Sequence, residues 1–187
     1  MKLVLLKMSL LPAKRVVLEN MLLNDKPLDA AQIAKEIGIK LNSTNLHLIW
    51  LVRAGYVVSP EKGQYVISDS GKKALGIPEV TRELAVSLLS QSQTEKAFRF
   101  YEDLGKPIDL CADGIKDFLD KIPQATTKSL EFHIIRGDFE NWFESLGDLE
   151  MSKKIALLKN RKLVGEQLRV TLYEIVERRY ATLSKLL

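Results

Sequence analysis

Residues 28–58 read LDAAQIAKEIGIKLNSTNLHLIWLVRAGYVV, and the fold of the N-terminal part of the chain turns on them. Asp29 followed three residues later by Gln32 forms a variant capping box, with Leu28 and Ile33 at the positions of a hydrophobic staple. Ile33, Ala34 and Ile37 supply the buried face of that helix, and Gly38 supplies its stop. After a tight link through residues 39–41, Asn42 or Ser43 is expected to cap a further helix running past Leu48 and Leu51 to Ala54, with Gly55 closing it. If Thr44, Leu48 and Leu51 face the core, helical spacing turns Asn42, Asn45, Leu46, Ile49 and Arg53 outward.

Upstream, Pro12 suits the first position of a helix whose apolar residues are Val16, Val17, Met21 and Leu22, broken by residues 24–27. Downstream, residues 56–59 and 64–68 are β-rich runs separated by Pro60, Glu61, Lys62 and Gly63, the chemistry of a hairpin turn. Ser68 or Asp69 then caps a short helix over residues 71–75, closed by Gly76. Three helices, a hairpin and a helix is an order that resembles the winged helix-turn-helix domain of MarR/ArsR-like transcriptional regulators over residues 12–76. Its carriers are residues 28–39, 51–58 and 65–75, matching the positioning helix, the exit of the recognition helix, and the second wing strand with its following helix.

That resemblance implies a recognition helix in the major groove of double-stranded DNA and a wing against the backbone. Asn42, Ser43 and Asn45 would reach base edges or phosphates, amides of this kind pairing well with adenine. Lys40, Arg53, Lys62, Lys14 and Arg15 would meet phosphate oxygens, and His47 would add a donor. Leu46 and Ile49, with Trp50 close by, are unusual on such a face. They fit the alternative in which the winged helix, together with the terminal helix, is a protein–protein interaction module without direct DNA readout.

Charge agrees with a polyanion partner. The 187-residue chain carries a formal net charge of +4. Residues 1–77 hold 11 Lys and Arg against 6 Asp and Glu, whereas residues 78–187 hold 17 against 18, so the excess cation lies wholly in the first part. An apolar share of 46% is enough to bury a core, and a single cysteine excludes both an internal disulfide and a cysteine-based zinc site. No run reaches the ~18–20 apolar residues of a membrane span. Residues 1–7 begin like a signal peptide, but Lys7 interrupts them, and they read as an apolar lead-in or a strand closing a small sheet. The expectation is a cytoplasmic protein without a membrane partner.

Gly76, Ile77 and Pro78 mark a boundary, giving a winged-helix domain over residues 1–77 and an all-α domain over residues 78–187. The fold class expected is mainly α with a small β-hairpin wing. Helices are expected near Thr81, after Thr94 (carrying Ala97, Phe98, Phe100, Tyr101 and Leu104 to a stop at Gly105), after Asp113, after Thr126 or Thr127, from Asp138 as N-cap, and over residues 151–158. A last helix over residues 164–187 carries Leu168, Leu172, Ile175 or Val176, Leu183 and Leu187 as a stripe with an outer face rich in Arg and Glu. A long stripe without an obvious cover suits a homodimer, and this domain would dimerise, bind a small-molecule or protein effector, or both.

Residues 129–143, SLEFHIIRGDFENWF, resemble a motif of a prokaryotic helical family without assigned chemistry, matched over residues 95–158; no functional residue carries over. His133, Arg136, Asp138 and Glu140 come near each other at a helix end and the next helix start, where a structural role outweighs a ligand site or acid–base catalysis. Cys111 reads as core. No phosphate loop, dinucleotide fingerprint or hydrolase elbow is present, so no enzyme, no cofactor and no metal are expected.

Overall fold

The computed structural model describes residues 10–90 and 96–187. The expectations placed on residues 1–7 and on a cap at Thr94 lie outside the described residues. The chain divides into two compact units, one ending at Ile77 and one beginning at Pro78. It is mainly helical, with two small antiparallel sheets.

The first unit opens with α1 (Pro12–Asn24), Pro12 at its first position and Asp25 in the left-handed region at its end. Val17, Leu18, Met21 and Leu22 are fully buried. Val16, expected inside, is 45% exposed, because the buried stripe passes through Leu18 instead. A two-residue strand β1 (Leu28–Asp29), too short for any periodicity, leads into α2 (Ala30–Ile37). The capping box is complete: the Gln32 N–H donates to Asp29 Oδ1 at 2.8 Å and the Asp29 N–H to Gln32 Oε1 at 2.9 Å.

The next helix, α3 (Leu41–Arg53), starts earlier than the expected caps. Lys40 is its N-cap and makes no side-chain capping bond, so Asn42 and Ser43 lie inside the first turn. Strands β2 (Val57–Val58) and β3 (Gln64–Ile67) form the hairpin, and β3 also pairs with β1, giving the order β1-β3-β2 with Leu28 opposite Tyr65 and Val57 opposite Ile67. Ser68 caps α4 (Asp69–Ala74). Leu28, Ile33, Leu48, Leu51, Val57 and Ile67 close the core against α1.

The second unit is not all-α. Between α5 (Arg82–Leu89) and α6 (Ile115–Lys121) stand β4 (Phe98–Asp103) and β5 (Lys106–Ala112), an antiparallel hairpin where a helix was expected. Phe98 and Phe100 are buried while Arg99 between them is exposed, a period of two rather than 3.6. Cys111, expected in the core, is exposed on β5 for the same reason. Gly114, not Asp113, precedes α6.

Helices α7 (Thr127–Arg136), α8 (Asp138–Ser145), α9 (Leu149–Asn160) and α10 (Gly165–Ser184) complete the unit, with Thr126 and Asp148 capping α7 and α9. Phe98, Phe100, Phe118, Phe139, Trp142 and Phe143 form a continuous aromatic core with ring centroids 4.8 to 6.1 Å apart. The stripe on α10 is covered within the unit: Leu168, Leu172, Ile175, Val176 and Leu183 are buried and the helix packs against α5, α6, α7 and α9. That much of the surface that suggested a two-fold partner is therefore core, whereas Leu187, beyond the end of α10, is 58% exposed. Among the described residues, no helix is long and apolar enough to cross a membrane.

Candidate functional sites

Burial on α3 follows Thr44, Leu48 and Leu51, so its opposite side is open. Asn42, Asn45, Leu46, Ile49 and Arg53 are all exposed, and Asn42, Leu46, Ile49 and Arg53 succeed one another every three or four residues along one stripe. Leu46 is 68% exposed and Ile49 is 50% exposed. No residue from Leu41 to Arg53 is acidic. Because Lys40 offers no cap, no side chain caps the donors of the first turn of α3.

The cations are placed unequally around this helix. Lys14 of α1 lies 4.2 Å from the ring centroid of Trp50, so one cation is held beside α3, and Tyr56 meets the same indole edge-on at 6.0 Å. Arg15, by contrast, is drawn along its own helix, Nε donating to Glu19 Oε1 at 3.1 Å. Lys40 is exposed at the start of α3 and Arg53 at its end. Lys62 is exposed in the β2–β3 turn, where the Ser59 hydroxyl donates to the Glu61 carbonyl at 2.7 Å. Ser43 and His47 are half-buried on the flanks. Sequence spacing did not reveal the Lys14–Trp50 pair, since the two residues belong to helices 36 positions apart in number.

In the second unit, the motif of residues 129–143 folds into a polar junction between α7 and α8. His133 is 2% exposed, and both ring nitrogens are engaged. Nδ1 lies 2.8 Å from Asp138 Oδ2, and Nε2 accepts the Tyr101 backbone N–H at 2.8 Å. This assigns the neutral tautomer with the proton on Nδ1. Burial holds its pKa below the ordinary 6.5, outweighing the raising effect of Asp138, while Arg136 adds to the lowering.

Asp138 is not the expected N-cap; it is the first residue of α8, and Gly137, in the left-handed region, ends α7 and precedes α8. Its carboxylate instead accepts from His133 and from Arg136 Nε at 3.1 Å. Glu140 does not join the group and lies 3.8 Å from Lys159. Chemically, His133 is a strut: with both nitrogens bonded it has neither a lone pair nor a proton free for a substrate. The junction nevertheless borders an open cleft of about 260 Å³, walled on the other side by the β4–β5 hairpin through Arg99, Tyr101, Asp103 and Leu104. The alternation of Phe98, Arg99 and Phe100 is the one local signal of this hairpin.

Compared with family models, curated proteins and solved structures, the chain matches none.

Proposed function

We propose that the first unit is a winged helix-turn-helix module that docks α3 into the major groove of double-stranded DNA, as part of a transcriptional regulator. The observation that supports this most is the outward stripe of α3: it is exposed, free of carboxylates, carries amides toward its start and has Lys14, Lys40 and Arg53 around it. Asn42 and Asn45 suit adenine edges, and Leu46 and Ile49 suit the methyl group of thymine, so A·T-rich sites are the expected targets. The uncapped first turn of α3 supplies backbone donors for a phosphate. Lys62 on the hairpin turn is the wing's cation.

Four cations on phosphate imply a salt slope of about −3.6, hence a loss of affinity on the order of a hundredfold between ~50 and ~200 mM salt. Fluorescence anisotropy with a labelled duplex measures it, and absence of binding at ~50 mM salt ends the proposal. The buried stripe of α10 leaves the homodimer without its support, so the module is proposed to read one half-site per chain.

The exposure of Leu46 and Ile49 favours a second reading, in which the same stripe enters an apolar groove on a protein partner. The two separate on one pair of variants. Arg53→Gln weakens a DNA complex and leaves a protein complex nearly intact, whereas Leu46→Ser with Ile49→Ser abolishes a protein complex and costs a DNA complex only its preference for thymine, keeping its salt-dependent affinity.

A further inference from the structure

The cleft between the β4–β5 hairpin and the α7–α8 junction has a charge balance that defines what it can hold. Two guanidiniums, Arg99 and Arg136, and two carboxylates, Asp103 and Asp138, line it. Asp138 is occupied by Arg136 and His133. Asp103 is occupied by the Leu104 N–H at 2.8 Å and by Lys106 Nζ at 3.3 Å. His133 is neutral. The Arg99 guanidinium has no hydrogen-bond or ion-pair partner among the described residues, which leaves one uncompensated positive charge at the cleft.

The rest of the wall is apolar. Phe132 is half-buried, with the Arg136 guanidinium 5.0 Å above its ring, and Leu104 at the hairpin tip is 72% exposed. An exposed leucine and a half-buried aromatic lining one concave surface are poorly placed against water and well placed against a ligand's apolar body. At about 260 Å³ the cleft falls just under the ~300–1,000 Å³ of sites for drug-sized molecules. The floor is rigid, since the His133 ring pins β4 through the Tyr101 amide and α8 through Asp138.

We infer that this cleft binds a small organic monocarboxylate, its carboxylate on Arg99 and its aliphatic or aromatic body between Phe132 and Leu104. A guanidinium accepts a carboxylate through two parallel hydrogen bonds, and one surplus charge matches one carboxylate rather than a phosphate dianion. Polar capture alone would be weak on an open surface; the apolar walls supply the remainder. The site is built from residues of the second unit alone, and its occupancy is measured without DNA.

The test uses the full chain, ¹⁵N-labelled, titrated with phenylacetate, hexanoate, phenylacetamide, acetate and inorganic phosphate. Saturable shifts of the Tyr101 and Leu104 amide signals with phenylacetate or hexanoate, at least about tenfold weaker with phenylacetamide and acetate, are the expected result. Arg99→Gln, which removes an exposed side chain with no partner to disrupt, weakens binding about tenfold. Arg136→Gln is the second variant, read only after its amide spectrum shows a native fold. The inference is overturned if neither carboxylate saturates below ~50 mM, if phenylacetamide or phosphate binds as tightly, or if Arg99→Gln binds unchanged.

Discussion

Arg179 shows how far a single side chain can depart from its sequence surroundings. It lies on the apolar stripe of α10, eleven residues after Leu168, and is 1% exposed. Nε and Nη2 donate to the two oxygens of Asp148 at 2.9 and 2.7 Å, and Nη1 donates to Glu150 at 2.9 Å. Lys154 lies 2.8 Å from the other oxygen of Glu150, so two cations balance two carboxylates in the core. Removing one member strands a buried charge. Arg179→Ala is expected to cost about 3–5 kcal/mol in urea unfolding. His133 gives a second prediction. Its native pKa is below its unfolded value near 6.5, so the unfolded state takes up a proton first as pH falls. The stability it contributes is present above pH ~6.5 and is lost below it. Between pH 7.5 and 5 the urea midpoint of the natural protein should fall more than that of His133→Gln; equal slopes would remove the neutral-histidine assignment.

At the scale of elements, helix ends were the most legible features. Asp29 with Gln32 caps where sequence placed it, and Ser68 and Thr126 are each one of the two caps that sequence offered, because a cap is a contact between a side chain and an N–H two or three residues away; Asn42, Ser43 and Asp138, also expected as caps, make no such bond. Asp29→Ala is expected to cost about 1 kcal/mol through α2, observable by chemical unfolding followed at Trp50. The short strands were less legible. A two-residue β1 carries no period, and Phe98, Phe100 and Tyr101 of β4, with Leu104 in the turn after it, stand at spacings that also satisfy a helix. What decides for the strand is its partner, residues 106–112, across the turn at Gly105. Element packing also explains Gly71, which is buried where α4 meets the residue before β2 and the end of β3. A Cβ there would meet the Tyr56 carbonyl oxygen, with Ile67 Cγ1 at 2.8 Å. Gly71→Ala should therefore destabilise the first unit by about 1–3 kcal/mol, although alanine is the better helix former. A neutral effect in a thermal melt would contradict that packing.

For the whole molecule, the uneven division of charge is the quantity with consequences. The net excess of cations belongs to residues 1–77, so nucleic-acid affinity should track substitutions there. Lys14→Ala and Lys62→Ala are each expected to reduce the salt slope of duplex binding by about 1, with little change in the preference among sequences. Arg15→Ala, already tied to Glu19, should change it less. Measured slopes that stay at the unsubstituted value would place the phosphates elsewhere.

By itself the sequence determined the capping box at Asp29 and the stop at Gly38, the hairpin turn at residues 60–63, the side of α3 that faces outward and the mainly helical character, because each depends on neighbours within about one turn of chain. Only the tertiary structure decided that residues 98–112 pair as strands, that Cys111 is exposed, that the α10 stripe is covered and that Arg179 is buried. It also decided that His133, Arg136 and Asp138 border a cleft rather than a closed junction. Each of these depends on a partner far along the chain. The free energy of burial or pairing belongs to both partners together, and local propensity carries only a fraction of it.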